Sequence, residues 1–173
     1  MTHNVHILGI DHEIQTVDGR RTTEEKSEFE KLLRTLVYKR HIEFIGEETY
    51  PEINAIAKSV ASSLDIRWEP IEMSLAAREA LGIADEQLCE RHEPIFSGGI
   101  PVGSRVVRVL SDAIREEYML WRTLTKADEA SNILVLCGFS HVDELRQRFE
   151  KAGYQVTTDS LCAREWYVNP ECI

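Results

Sequence analysis

The sequence predicts an α/β fold, with a mostly parallel central sheet flanked by helices in one compact domain over residues 1–173. Three observations lead there. Short apolar runs suited to buried strands alternate with longer segments whose apolar residues recur at helical spacing. The first half of the chain reads β-α-β-α-β, an order that implies parallel strands covered by helices. The first connecting helix is also long enough for a crossover that brings the next strand back parallel to the first.

Val5-His6-Ile7-Leu8-Gly9-Ile10 is the first strand, and it delivers Asp11 and His12 at its end. Glu13 to Arg21 is polar and carries Asp18-Gly19, a turn signal. Thr22 and Glu25 form a capping box, and Phe29, Leu32, Leu33, Leu36 and Val37 then mark an amphipathic helix. Ile42 to Ile45 is the second strand, ending in Gly46-Glu47-Glu48. Pro51 suits a first helical turn, with Ile53, Ile56, Ala57, Val60, Ala61 and Leu64 as the stripe of a second helix. Asp65 to Glu69 reads as a third strand closed by Pro70. Ser74 to Leu81 looks helical with Gly82 as its stop, Asp85 to Arg91 suggests a short helix, and Ser97 to Gly103 is loop-like.

Ser104 opens a long helix to about Lys126, on which Arg115 and Met119 share a face. Ile133 to Gly138 is a further strand, followed by Phe139-Ser140-His141. The stripe Val142, Leu145, Phe149 and Ala152 marks the last helix, stopped by Gly153, and Tyr154 to Thr158 the last strand.

The balance of charge excludes some partners. A net charge of -10 argues against nucleic acid and acidic membrane surfaces, which reward clustered Lys and Arg. No apolar run approaches the length of a membrane span and no leader is legible, so a cytoplasmic protein without a membrane partner is expected. Cys89, Cys137, Cys162 and Cys172 lack close pairing and read as free thiols, with Cys137 a small buried hydrophobe.

The chemistry-bearing signal is a repeated Gly-x-x-His, at Gly9–His12 and Gly138–His141, each directly after a strand-like run. Nine glycines and six histidines in 173 residues give only about 0.3 copies by chance. The glycine is expected to let the chain turn tightly. Carboxyl ends of parallel strands are where ligands bind, so the two motifs read as two walls of one site. Glu47 and Glu48, at the end of the second strand, would join them. Imidazole and carboxylate together suit Mn, Co, Fe or Zn. His12, His141 and Glu47 are thus candidate ligands of a divalent metal, and Glu48 is a second candidate acid, as ligand or base. Arg115 is a candidate for holding a substrate carboxylate or phosphate, or for stabilising an oxyanion. His3, His6, His41 and His92 have no supporting pattern.

These residues also resemble a known group. Ile7-Leu8-Gly9-Ile10-Asp11-His12, the strand ending in Glu, Arg115-Glu116-Glu117-Tyr118-Met119 and Val135 to Val142 are similar to the hallmark motifs of the TraB/Tiki proteins. That group is related to the ChaN-like and erythromycin-esterase proteins. The resemblance runs in order from about residue 5 to 145 through short motifs. It implies a metal-dependent hydrolase-like site formed by His12, Glu47 or Glu48, Arg115 and His141. Asp11 has no counterpart role in that pattern.

The expectation from sequence is therefore a metal-dependent hydrolase acting on a small-molecule or peptide substrate. A non-catalytic module that binds or senses a small anion in the same pocket is its rival. Self-association through the same polar residues, as a homo-oligomer, is a third reading.

Overall fold

The computed structural model of the protein describes residues 3–81, 83 and 103–167. Its centre is an all-parallel sheet of five strands: β1 (Asn4–Ile10), β2 (Phe44–Glu47), β3 (Arg67–Pro70), β4 (Asn132–Gly138) and β5 (Gln155–Ser160). They lie in the order β3-β2-β4-β1-β5. The helices are α1 (His12–Gln15), α2 (Thr23–Arg40), α3 (Ile56–Ser63), α4 (Leu75–Ala80), α5 (Gly103–Ala127) and α6 (Val142–Lys151). The fold is the α/β class that the alternation of strand and helix predicts.

Side chains alternate across the sheet and split the core in two. Leu8, Ile10, Ile45, Leu134 and Leu136 face one way, onto Phe29, Leu33, Leu36 and Val37 of α2 and Ile56, Ala57 and Val60 of α3. Val5, Ile7, Phe44, Ile133, Val135 and Cys137 face the other way, onto Met119 of α5 and Leu145 and Phe149 of α6. Both layers are needed because a parallel sheet has two apolar faces.

The strand order creates a switch point. β1 and β4 are neighbours, paired from Asn4 with Asn132 to Ile10 with Gly138. The chain leaves β1 through α2 on one face toward β2, and leaves β4 through α6 on the other face toward β5. Connections that diverge from adjacent strands open a crevice at their carboxyl ends, where ligands bind in sheets of this kind. His12 and His141 are the residues that follow these two strands.

Several elements differ from the expected boundaries, each for a local reason. The helix expected from Pro51 begins at Ile56, because Ala55 pairs with Thr16 in an isolated antiparallel bridge and Asn54 accepts from the Val17 N–H. The third strand starts at Arg67 rather than Asp65, whose φ of 56° is left-handed and breaks the extended run. Pro70 is tolerated there because β3 is an edge strand. The polar stretch after β1 contains a short helix, α1, capped by Asp11, whose side chain accepts from the Glu13 N–H. The last strand extends to Ser160. The helix expected at 85–91 and the loop expected at 97–103 lie outside the described residues, except Gly103, which begins α5.

The cysteines diverge as well. Cys137 is a buried free thiol, whereas Cys162 is held in a disulfide and is not the free thiol expected. Among the described residues no helix is long and apolar enough to cross a membrane.

A candidate site at the carboxyl edge of β1, β2 and β4

Glu48 is the hub of this edge. Its backbone N–H still follows the sheet, donating to the Leu136 carbonyl at 2.8 Å, but the side chain turns in and is almost fully buried. Oε2 accepts from the Gly138 N–H at 2.7 Å, and Oε1 accepts from Arg115 Nη2 at 2.6 Å. Nε2 of His141 lies 3.5 Å from the same Oε1, and Nε2 of His12 lies 3.9 Å from it. Of the expected residues, His12, Glu48, Arg115 and His141 thus meet around one carboxylate oxygen.

Glu47 does not join them. It occupies the alternate position of the strand and bonds Trp68, whose indole N–H donates to Oε2 at 2.7 Å in the α2–α3 half of the core. Its Oε1 is buried without a hydrogen-bond partner. Burial pushes its carboxyl up to about 7, with hydrogen bonding to Trp68 and then Gln15 opposing in part. The expectation that Glu47 supplies a metal ligand is corrected by this direction of its side chain.

Both imidazoles are fixed from behind. His12 Nδ1 lies 2.6 Å from Gln15 Oε1, and the Gln15 amide N–H donates to the Glu48 carbonyl at 3.1 Å. The second bond orients the amide, so its oxygen faces His12 and Nδ1 must be the protonated nitrogen. His141 Nδ1 sits 2.8 Å from Glu116 Oε1, a buried carboxylate that also lies 3.5 Å from Arg148. In both rings the remaining nitrogen, Nε2, is the one turned toward Glu48. His12 is open, with 59% of its side chain accessible, while His141 is enclosed at 5%. Burial alone would lower the pKa of His141, but the Glu116 bond and the charge of Glu48 raise it.

Arg115 is more occupied than the sequence suggests. Besides Glu48 it bonds Glu72, and Asp112 Oδ1 lies 3.2 Å from its Nη1. Burial works against its charge, yet Glu72, Glu48 and Asp112 together raise its pKa. Glu72 is buried too, and Arg115 and Arg78 overcome that burial to lower its pKa. Arg115 thus holds three of the protein's own carboxylates, Glu48, Glu72 and Asp112.

The two motif glycines serve close approach, not a tight turn. Gly138 has φ -56° and ψ 148°, open to any residue. A Cβ there would lie 3.1 Å from His12 Nε2 and 3.5 Å from Glu48 Oε2. At Gly9 a Cβ would lie 2.8 Å from Val142 Cγ2 and 3.1 Å from Phe139 Cδ1. Each glycine makes room for the segment that follows the other strand, so the two motifs interlock.

Gln15, Glu72, Asp112 and Glu116 take part without being among the residues expected from sequence. Glu116 had a signal, since it shares the buried stripe of α5 with Met119 and Thr123 at i+3 and i+7. Asp11 has a structural role, capping α1 and bonding Arg21 and the Tyr167 hydroxyl. Its carboxyl pKa is lowered although burial would raise it, because these donors favour the charged form. Cys137, beside the site, is held as the neutral thiol by burial and by the charges of Glu48 and Glu116. His3, His6 and His41 lie elsewhere, and His92 is outside the described residues.

Among the described residues no group of three or more His, Cys, Asp or Glu side chains is placed so that it could hold a metal ion. The nearest approach is His12, Glu48 and His141, whose separations of 3.9 and 3.5 Å from Oε1 are close to the roughly 3.4 Å edge of a tetrahedron with bonds of about 2.1 Å. Each histidine has its other nitrogen bonded to a carboxylate or amide oxygen, the usual backing of a metal-binding imidazole. Two imidazoles and a carboxylate are donors that suit a divalent ion, and the same Glu48 oxygen is held by Arg115 at 2.6 Å. No family model, curated protein or solved structure matches this chain.

Proposed function

We propose that the chain is a metal-dependent hydrolase whose centre is held by His12, Glu48 and His141. The observation that carries the reading is the pair of imidazoles, each tied at Nδ1 and turned at Nε2 toward one carboxylate oxygen. Mn, Co, Fe or Zn is compatible with two imidazoles and a carboxylate. Such an ion polarises a substrate oxygen and makes water a usable nucleophile near neutral pH. The resemblance to TraB/Tiki proteins supports the same reading, through the same histidines and arginine.

The chain's own residues divide the remaining work. His12 forms the exposed rim, so a small-molecule or peptide substrate approaches over its ring. Glu116 and Gln15 set the orientation of the two imidazoles. Arg115 and the Gly138 N–H fix both oxygens of Glu48 and balance its charge, which makes Arg115 a positioning residue. The rival reading, a module for small anions, is weakened by this arrangement. An anion at Arg115 would have to displace Glu48, Glu72 or Asp112.

Turnover of ester, phosphoester and peptide substrates tests the proposal, measured with each of the four metals and after chelation. The expected result is activity that chelation abolishes and added metal restores. It should fall by more than roughly 100-fold in Glu48→Gln, beyond the loss caused by removing an outer hydrogen-bond partner. Hydrolysis that is indifferent to chelation, or unchanged in His12→Ala, would contradict it.

A further inference from the structure

A second cleft lies at the other end of the sheet. It has a volume of about 320 Å³ and is lined by the first residues of β1, β4 and β5 together with Lys39, Arg40 and His41 at the end of α2. Seven-residue strands place it roughly 20 Å from the carboxyl edge. In a chain of net charge -10, this is a local concentration of cationic side chains.

Basic residues in a last helical turn complement the helix dipole, and that alone would account for Lys39 and Arg40. It does not account for His6. This side chain belongs to the same cleft lining and is 3% exposed, yet its Nε2 has no hydrogen-bond partner. Its Nδ1 lies 2.8 Å from the Thr157 hydroxyl, which in turn accepts from Arg40 Nη1 at 3.0 Å. Nδ1 is thus taken up by Thr157, and Nε2 is the ring nitrogen left buried without a partner. A buried polar atom without a partner is costly, and here its ring is linked through one hydroxyl to an exposed guanidinium.

We propose that this cleft binds the oxyanion group of a small molecule, a phosphate or a carboxylate, between Arg40 and Lys39 with the His6–Thr157 pair as its floor. Guanidinium and ammonium donors with a hydroxyl beside them are the chemistry that recognises such groups. The charges acting on His6 fit this arrangement. Burial and then Arg40 lower its pKa to about 4, Asp159 and a hydrogen bond to the Thr157 backbone oppose them, and Arg164 adds a smaller lowering. An anion bound beside Arg40 cancels part of that positive field, so the titration midpoint of His6 should rise on binding.

The test is nuclear magnetic resonance of the His6 ring, assigned by its loss in His6→Gln, during titration with inorganic phosphate, acetate or chloride at constant ionic strength. The expected result is a saturable displacement of the His6 signals by phosphate or acetate and none by chloride. The stronger of the two identifies the oxyanion. Affinity should weaken about tenfold or more in Arg40→Gln, the loss of one charge-assisted hydrogen bond. Arg40 is exposed, so that variant keeps the fold. Displacement by chloride to the same extent, no saturation, or equal affinity in Arg40→Gln would overturn the proposal.

Discussion

A single Cβ separates two outcomes at Gly138. Its backbone angles admit alanine, so Gly138→Ala carries no conformational penalty, but the added carbon crowds His12 Nε2 at 3.1 Å while Glu48 Oε2, at 3.5 Å, is in ordinary contact. The expected result is metal affinity reduced at least about tenfold by calorimetry, with thermal stability changed by less than roughly 1 kcal/mol. A variant that binds as tightly as wild type would mean that His12 does not face the site. Glu47 makes the opposite case, a carboxyl that acts on stability and not on the site. Its folded pKa of about 7 lies above the ordinary 4.5, so the fold prefers the neutral acid. Stability on this account is unaffected below pH 4.5, falls as pH rises from 4.5 to about 7, and then levels, at a total of about 3 kcal/mol. In Glu47→Gln that decline should vanish in denaturation curves across pH 4–8, and the variant should exceed wild type at pH 8. Parallel curves would count against a buried neutral Glu47. The adjacent acids also mark how far sequence reaches at this scale. Two glutamates in a row at a strand end are equal candidates on paper. What separates them is the pleat, which sends Glu47 to Trp68 and lets Glu48 turn into the site.

At the scale of elements, α5 does more than cover the sheet. Arg115 and Glu116 are consecutive, so about 100° of helical turn points one at Glu48 and Glu72 and the other at His141. Glu116→Gln keeps the shape but weakens the hold on the His141 Nδ1–H. Metal affinity is expected to fall by about 10–100-fold, the range for an outer-shell partner, with the protein still folded. Equal affinity would show that His141 is oriented by packing alone. The capping box of α2 is a purely local matter. Thr22 accepts from the Glu25 N–H, and the Glu25 carboxylate accepts from the Thr22 N–H. Thr22→Ala should cost about 1 kcal/mol in chemical denaturation without changing metal binding. That box and the stripe of α2 were legible in sequence because both are local patterns. The starts of α3 and β3 were not, because a bridge between Ala55 and Thr16 and the left-handed Asp65 decide them.

The whole molecule supplies what no motif can, the adjacency of two distant segments. His12 and His141 are separated by most of the chain and meet because β1 and β4 pair in parallel with Ile10 opposite Gly138. The doubled Gly-x-x-His made that pairing readable in outline, including the edge of the sheet where it occurs. The partners Gln15, Glu72 and Glu116 were not readable in the same way. Their roles depend on which way α1, α5 and the segment after β3 face once packed, and charged residues in a sequence look alike whether solvated or buried. The same topology leaves the amino edge of the sheet to the cleft around His6.

The central claim is that His12, Glu48 and His141 form one site. Its most direct test is metal stoichiometry and affinity, measured by calorimetry and mass spectrometry on untagged wild type and on His12→Ala, Glu48→Gln and His141→Ala. The account predicts one equivalent of a divalent metal in wild type, lost from all three variants while each remains folded by circular dichroism. Wild-type protein that takes up none of Mn, Co, Fe or Zn, or a variant that retains a full equivalent, would contradict it.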